Sequence, residues 1–195
     1  MKSASNAPRV VVLTGPMGAG KSAVGAQLAR KSLGNFLDTD HVIEQRAGKK
    51  IAEIFAVDGE ATFRAMEEEI CVELIQTAGP STVLALGGGA FMNAAIREAA
   101  NAPDVLSVYL CTSPESSWSR IRHSAGGAAK RPLLAHPDPL GRLRELYNQR
   151  HEFYSEAKLI IHTDSLYTSD VVHAILAELD AQRRAAEREP RRPID

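Results

Sequence analysis

Residues 15–22 read GPMGAGKS, and four of them, Gly15, Gly20, Lys21 and Ser22, stand at the spacing GxxxxGKS. Such a stretch can cradle phosphate, because glycines let backbone N–H groups turn inward around phosphate oxygens. Lys21 can then reach the β- and γ-phosphates, and the Ser22 hydroxyl can hold Mg²⁺. Gly18, Ala19 and Ala23 belong to the same cofactor-binding stretch, and the helix expected behind it adds the positive end of its dipole. The pattern requires a strand before it and a helix after it, and VVVLT and AVGAQLA supply both. No NKxD stretch of the kind that reads guanine occurs, so ATP is the expected nucleotide.

The acceptor of the phosphoryl group must be sought elsewhere. Asp38-Thr39-Asp40 ends the second apolar run. If the chain there is extended, both carboxylates face one side. One could order water on Mg²⁺ while the other hydrogen-bonds an acceptor hydroxyl or takes its proton. The alternative is a capping role for Thr39 or Asp40 at a helix beginning near His41. Arg64 lies beside the apolar stripe of Phe63, Met66, Ile70 and Leu74, and on its own reads as a solvated partner of Glu67 or Glu68. The run LALGGGA places Gly87, Gly88 and Gly89 directly after a strand, where bare backbone lets a ligand come close, and no Walker B aspartate is present. Arg150 shares a helical stripe with Leu140, Leu143, Tyr147 and Tyr154. Either it snorkels to the edge or its planar fork grips an anion. Cys71 and Cys111 lack metal spacing and read as packing residues, and the histidines lack metal spacing too.

Strands are expected at 10–14, 35–37, 82–86, 105–110 and 158–162, and helices at 21–31, 60–77, 93–101, 114–122, 139–156 and 169–183. This alternation predicts an α/β fold in three layers, a five-stranded parallel sheet covered on both faces by helices. Residues 123–138, rich in Gly, Ala and Pro, separate two helices without a strand between them and are expected to form a mobile lid. The reading is one domain over 9–183, a flexible lead-in over 1–8 and a flexible charged tail over 184–195. A net charge of -1 gives no basic field for nucleic acid, and no apolar run is long enough to cross a membrane. Small molecules are the expected partners, a monomer the expected state, and the cytoplasm the expected location.

Together GPMGAGKS, FLDTD, IAEIFAVDGEATFRAMEE, LALGGGA, KRPLL and NQRHEFY, in this order, resemble the shikimate kinases from about residue 9 to residue 180. The resemblance implies a P-loop kinase of the nucleoside-monophosphate-kinase type that transfers the γ-phosphoryl of MgATP to the 3-hydroxyl of shikimate. It implies that Asp40, Arg64, Gly87, Gly88, Gly89 and Arg150 hold shikimate, the two arginines on its carboxylate. Glu67 would orient Arg64, and Asp38 would act on Mg²⁺ through water beside Ser22. Lys21, Asp40 and Arg131 would be the catalytic groups, Arg131 meeting the phosphates. Arg122 is the nearest match to the arginine that stacks on adenine, with Arg120 and His123 as alternatives. Competing readings are a kinase of another small molecule, such as gluconate, and a nucleotide-dependent switch without phosphoryl transfer.

Overall fold

The run Val10–Thr14 is apolar at all but its last residue, and a strand with no polar face must be covered on both sides. In the computed structural model, which describes residues 8–32, 34–124, 134 and 136–188, it forms strand β1, buried at every position. With β2 (Phe36–Asp38), β3 (Thr82–Ala85), β4 (Val105–Cys111) and β5 (Leu159–His162) it makes a parallel sheet in the order β2-β3-β1-β4-β5. The expected five-stranded three-layer fold is observed, with every strand boundary within one residue of expectation.

Alternation along β1 separates two cores. Val10 and Val12 pack with Cys71 and Ile75 of α4 (Gly59–Thr77), Ile96 of α5 (Ala94–Ala100) and Tyr154 of α7 (Pro139–Tyr154). Val11 and Leu13 face the other way, toward Val24 and Leu28 of α1 (Lys21–Lys31) and Val171 and Ile175 of α8 (Thr168–Arg188). Slipping β1 by one residue would exchange the two sets, so the pattern fixes its register. At the amino end of the sheet, Arg9 bonds Asp104 Oδ2 at 2.5 Å and the carbonyls of Ala78 and Ile75, tying β1 to the end of α4 and the approach to β4.

Because β2 and β3 lie on one side of β1 and β4 and β5 on the other, the chain reverses its direction of winding at β1. Ligand crevices of open α/β sheets form at the carboxyl ends of such strands. The loops after β1, β2 and β3 all emerge at that end.

Three segments differ from expectation. Helix α2 (Thr39–Ala47) begins two residues before His41, and Asp38 is its N-cap. Helix α3 (Ile51–Val57), not foreseen, is divided from α4 at Asp58-Gly59, where Gly59 takes φ 86°. Helix α8 continues to Arg188, so residues 184–188 of the expected flexible tail are helical. No glycine or proline interrupts that run before Pro190. Helix α6 (Pro114–His123) packs against α7, with Ile121, Leu134 and Leu143 meeting between them. Most of the expected lid, residues 125–133 and 135, lies outside the described residues, and Arg131 with it.

Candidate active site

The loop between β1 and α1 is shaped by backbone that side chains would spoil. Gly18 has φ 81°, and a Cβ there would sit 2.7 Å from the Ser117 carbonyl oxygen of α6. Gly20 caps α1 in the left-handed region at φ 93°, without a side-chain acceptor, and no acidic residue stands in the first turn. The first N–H groups of α1 are thus left open at the positive end of its dipole. Lys21 folds over the loop and donates to the carbonyls of Gly15 at 2.7 Å and Pro16 at 3.0 Å. These features fit a polyphosphate: a ring of N–H donors with a cation already held above it.

A cavity of about 700 Å³ opens there, its wall running from Gly18 through Ala23 and including Asp38, Asp40, Gly88 and Arg120. Gly15 is not part of the wall; it presses on β4, where a Cβ would lie 2.7 Å from the Leu110 carbonyl oxygen. Ser22 Oγ donates to Asp38 Oδ2 at 2.7 Å. A hydroxyl and a carboxylate side by side at the phosphate cradle suit Mg²⁺, a hard ion that takes few protein oxygens and fills its remaining positions with phosphate and water. Among the described residues no cluster of three or more His, Cys, Asp or Glu could cage a metal alone.

The two carboxylates reach the site by a route other than the one expected. They are not successive outward residues of a strand, because the helix starts between them at Thr39. Asp38 accepts the Asp40 N–H at 3.2 Å as an N-cap, and this turn brings both to one cavity wall. Burial pushes the Asp40 carboxyl up to about 6, helped by the neighbouring charge of Asp38 and opposed by Lys21. Thr39, between them, is buried; its Oγ1 donates to the Ala85 carbonyl at 3.2 Å and accepts the Gly87 N–H at 3.1 Å. It stitches the start of α2 to the loop after β3.

That loop gathers the remaining predicted residues. A Cβ on Gly87 would lie 2.5 Å from Asp40 Oδ1 and 3.0 Å from Glu67 Oε1, and one on Gly89 would lie 2.8 Å from Arg64 Nη1. The Gly88 carbonyl accepts Arg150 Nη1 at 2.9 Å and also the Tyr154 hydroxyl. The N–H groups of Gly88 and Gly89 have no acceptor among the described residues. Arg64, Arg150 and Asp40, from α4, α7 and α2, therefore converge on three consecutive glycines. Arg64 pairs with Glu67 as its helix spacing suggested, at 2.6 Å, and with Glu60 at 3.1 Å; its side chain is 34% exposed, but Glu67 is only 2% exposed, which draws the guanidinium inward rather than leaving it to solvent. Burial raises the Glu67 carboxyl above its ordinary range although Arg64 and Arg150 pull it down.

Of the three candidates for the base end of the nucleotide, Arg122 is exposed and absent from the cavity wall, whereas Arg120 lines it and donates to the Thr163 carbonyl at 2.5 Å. Two residues along a helix turn the side chain by about 200°, so only one of the pair can face the site. The signal available was the face Ser117, Arg120, Ile121 and Ser124, spaced i, i+3, i+4, i+7 toward the loop at Gly18. His123 is exposed as well and bonds back to the Ser119 carbonyl. Sequence reasoning also passed over Tyr167, 80% exposed yet in the cavity wall beside Thr163 and Leu166.

A family model for shikimate kinase matches residues 17–180. The chain belongs to the shikimate kinase family. Among curated relatives, the shikimate kinase of Symbiobacterium thermophilum is 42% identical over 170 residues, covering 87% of this chain and 95% of that protein. That of Paracidovorax citrulli is 45% identical over 145 residues, 74% of this chain and 76% of the relative. Among solved structures, shikimate kinase from Acinetobacter baumannii in complex with shikimate superposes with a TM-score of 0.81 at 35% identity, over 89% of this chain and 94% of that one. A gluconokinase from Sinorhizobium meliloti, 16% identical with a TM-score of 0.56, shares the fold alone. As in its family, the cofactors of this chain are ATP and Mg²⁺. Among the described residues no helix is long and apolar enough to cross a membrane.

Proposed function

We propose that this chain transfers the γ-phosphoryl group of MgATP to the 3-hydroxyl of shikimate, and that the residues around the glycine loop after β3 hold the acceptor. The observation that carries the reading is the meeting of Arg64, Arg150 and Asp40 at Gly87, Gly88 and Gly89, beside the phosphate cradle and sharing Asp40 and Gly88 with its wall. Two guanidinium groups suit one carboxylate, and Asp40 suits the hydroxyl end of the same small ring. The open N–H groups of Gly88 and Gly89 add donors that no side chain blocks.

ATP supplies the phosphoryl group, and Mg²⁺ neutralises its charge. The chain supplies position and electrostatics, which a loose phosphoryl transition state needs more than it needs a strong base. Gly18, Gly20 and Ala23 would present N–H groups to the phosphates, Ala19 would hold the turn of the loop through its N–H on the Pro16 carbonyl at 3.2 Å, and Lys21 would exchange the carbonyls of Gly15 and Pro16 for phosphate oxygens. Ser22 and Asp38 hold the metal side. Glu67 keeps the Arg64 guanidinium aimed at the acceptor, and Asp40 takes the hydrogen bond of the attacking hydroxyl. Arg120, with Tyr167, forms the base end of the nucleotide site in place of Arg122.

We read the enzyme as a cytoplasmic monomer with no nucleic-acid partner. Among the described residues, the exposed large apolar side chains are Val57 of α3, Ile160 of β5 and the neighbours Leu166 and Tyr167 of the loop before α8, the last two in the wall of the nucleotide cavity. The functional test is ADP release from MgATP by purified protein. Release should require shikimate, with gluconate and nucleoside monophosphates inactive; equal release with gluconate would overturn the acceptor assignment.

A further inference from the structure

Helix α7 directs two side chains at a single backbone atom. Arg150 Nη1 and the Tyr154 hydroxyl both donate to the Gly88 carbonyl oxygen. They are four residues apart, so they occupy one helical face and approach the loop from the same side. Arg150 is partly exposed, whereas Tyr154 is completely buried. The Tyr154 ring rests against Tyr109 of β4 at a centroid separation of 5.2 Å, and the Tyr109 hydroxyl is itself engaged by His151 Nδ1 at 3.0 Å. The sheet thus fixes the Tyr154 ring from behind, with its hydroxyl at Gly88.

Three successive glycines have no side chains to anchor them and more backbone freedom than any other sequence, so something outside the loop must hold its peptide planes. Pinning the Gly88 oxygen has two effects. It gives Arg150 a stationary acceptor for Nη1, beside the Tyr154 hydroxyl with which the same guanidinium interacts, and so fixes the fork it offers to an anion. It also sets the next N–H, because a planar trans peptide points the Gly89 N–H opposite to the Gly88 carbonyl. The Arg64 guanidinium packs against the same residue, 2.8 Å from where a Gly89 Cβ would stand.

We infer that Tyr154 is a positioning residue for the acceptor: through the Gly88 carbonyl, its hydroxyl presents Arg150 and the Gly89 N–H together. This role rests on the acceptor site proposed above. Packing alone would need only the ring, which phenylalanine also supplies, so the hydroxyl is the atom to test.

The experiment compares Tyr154→Phe, Tyr109→Phe and Arg150→Ala in the full chain, varying shikimate and MgATP in turn and recording a thermal melt for each. Tyr154→Phe should raise the KM for shikimate about tenfold, the scale of one hydrogen bond in a charged network, and leave the KM for ATP within about twofold. Its melting temperature should stay within about 4 °C of the parent. Tyr109→Phe removes the same atom from the neighbouring ring and should leave the KM for shikimate unchanged. In an Arg150→Ala background, Tyr154→Phe should add less than about threefold, because the main group it positions is gone. An unchanged KM for shikimate in Tyr154→Phe overturns the inference. So does an equal rise of both KM values, or an equal effect of Tyr109→Phe. An Arg150→Ala enzyme that keeps its shikimate KM would instead overturn the acceptor reading beneath it, so the two failures are distinguishable.

Discussion

Replacing Gly89 by alanine should loosen the acceptor grip without loosening the fold. Gly89 has φ -107° and ψ -15°, a conformation open to other residues, so the change brings no backbone strain. The new methyl group would lie 2.8 Å from Arg64 Nη1, 3.2 Å from Nη2 and 3.3 Å from Cζ. Ordinary contact begins at 3.4 Å, so the guanidinium must retreat by roughly 0.6 Å at its nearest nitrogen. Its partner cannot follow, because Glu67 is 2% exposed and already bonded to Arg64 at 2.6 Å. Losing one charge-assisted contact to the acceptor costs about 1.5–3 kcal/mol, or roughly 10- to 150-fold in affinity. The assay is a shikimate titration at saturating MgATP, paired with denaturant unfolding. The KM for shikimate should rise by that factor while the KM for ATP holds. Unfolding free energy should change by no more than about 1–2 kcal/mol, the strain on the Arg64–Glu67 bond being partly offset because alanine restricts the unfolded chain. A folded Gly89→Ala enzyme with the parental KM for shikimate would refute the placement of Arg64 on the acceptor.

Other expectations follow from the same geometry. Lys21→Ala should lower kcat by about 10²–10³ or more at saturating substrates, with an unchanged circular dichroism spectrum, because its bonds to the Gly15 and Pro16 carbonyls hold a loop and no strand or helix. The hydrogen bond from Arg9 holds the Asp104 carboxyl below its ordinary value, so its contribution to stability is present above about pH 4 and lost as the pH falls through the lower folded value. Asp104→Asn should therefore melt below the parent at neutral pH, and the gap should close in acid; a constant gap would contradict this. Burial pushes the Cys71 thiol up to about 12, so iodoacetamide should leave Cys71 unmodified in the native protein at about pH 8, read by mass spectrometry.

The phosphate cradle was legible because it is local: strand, glycines, lysine and helix follow one another, and no distant residue is needed to recognise them. The sheet was legible because buried parallel strands have no polar face to blur them. Helix α3 was not. Seven residues without a side-chain N-cap carry little helical signal of their own, and α3 is held from outside, by Glu44 Oε1 accepting the Ile51 N–H and by the Phe55 ring against Phe63. The convergence at Gly87, Gly88 and Gly89 was legible only through the family resemblance. Arg64 and Arg150 are 86 residues apart in number, and nothing in the local spacing of either says that they meet. The burial of Glu67 was equally silent, since it is set by the arginines it faces rather than by its own helix. That Arg120 rather than Arg122 lines the cavity follows from helical phase, which the expected gap to the lid could not supply.

The central claim is that two guanidinium groups bind the carboxylate of the acceptor, and the most direct test changes that carboxylate alone. ADP release should be measured with shikimate and with its methyl ester, which keeps the ring and the 3-hydroxyl but carries no charge. The account predicts that the ester loses about 10²–10⁴ in kcat/KM, the scale of two charge-assisted contacts. An ester used within about threefold of shikimate would contradict it, since about 0.65 kcal/mol is too little for either arginine to have held the charge.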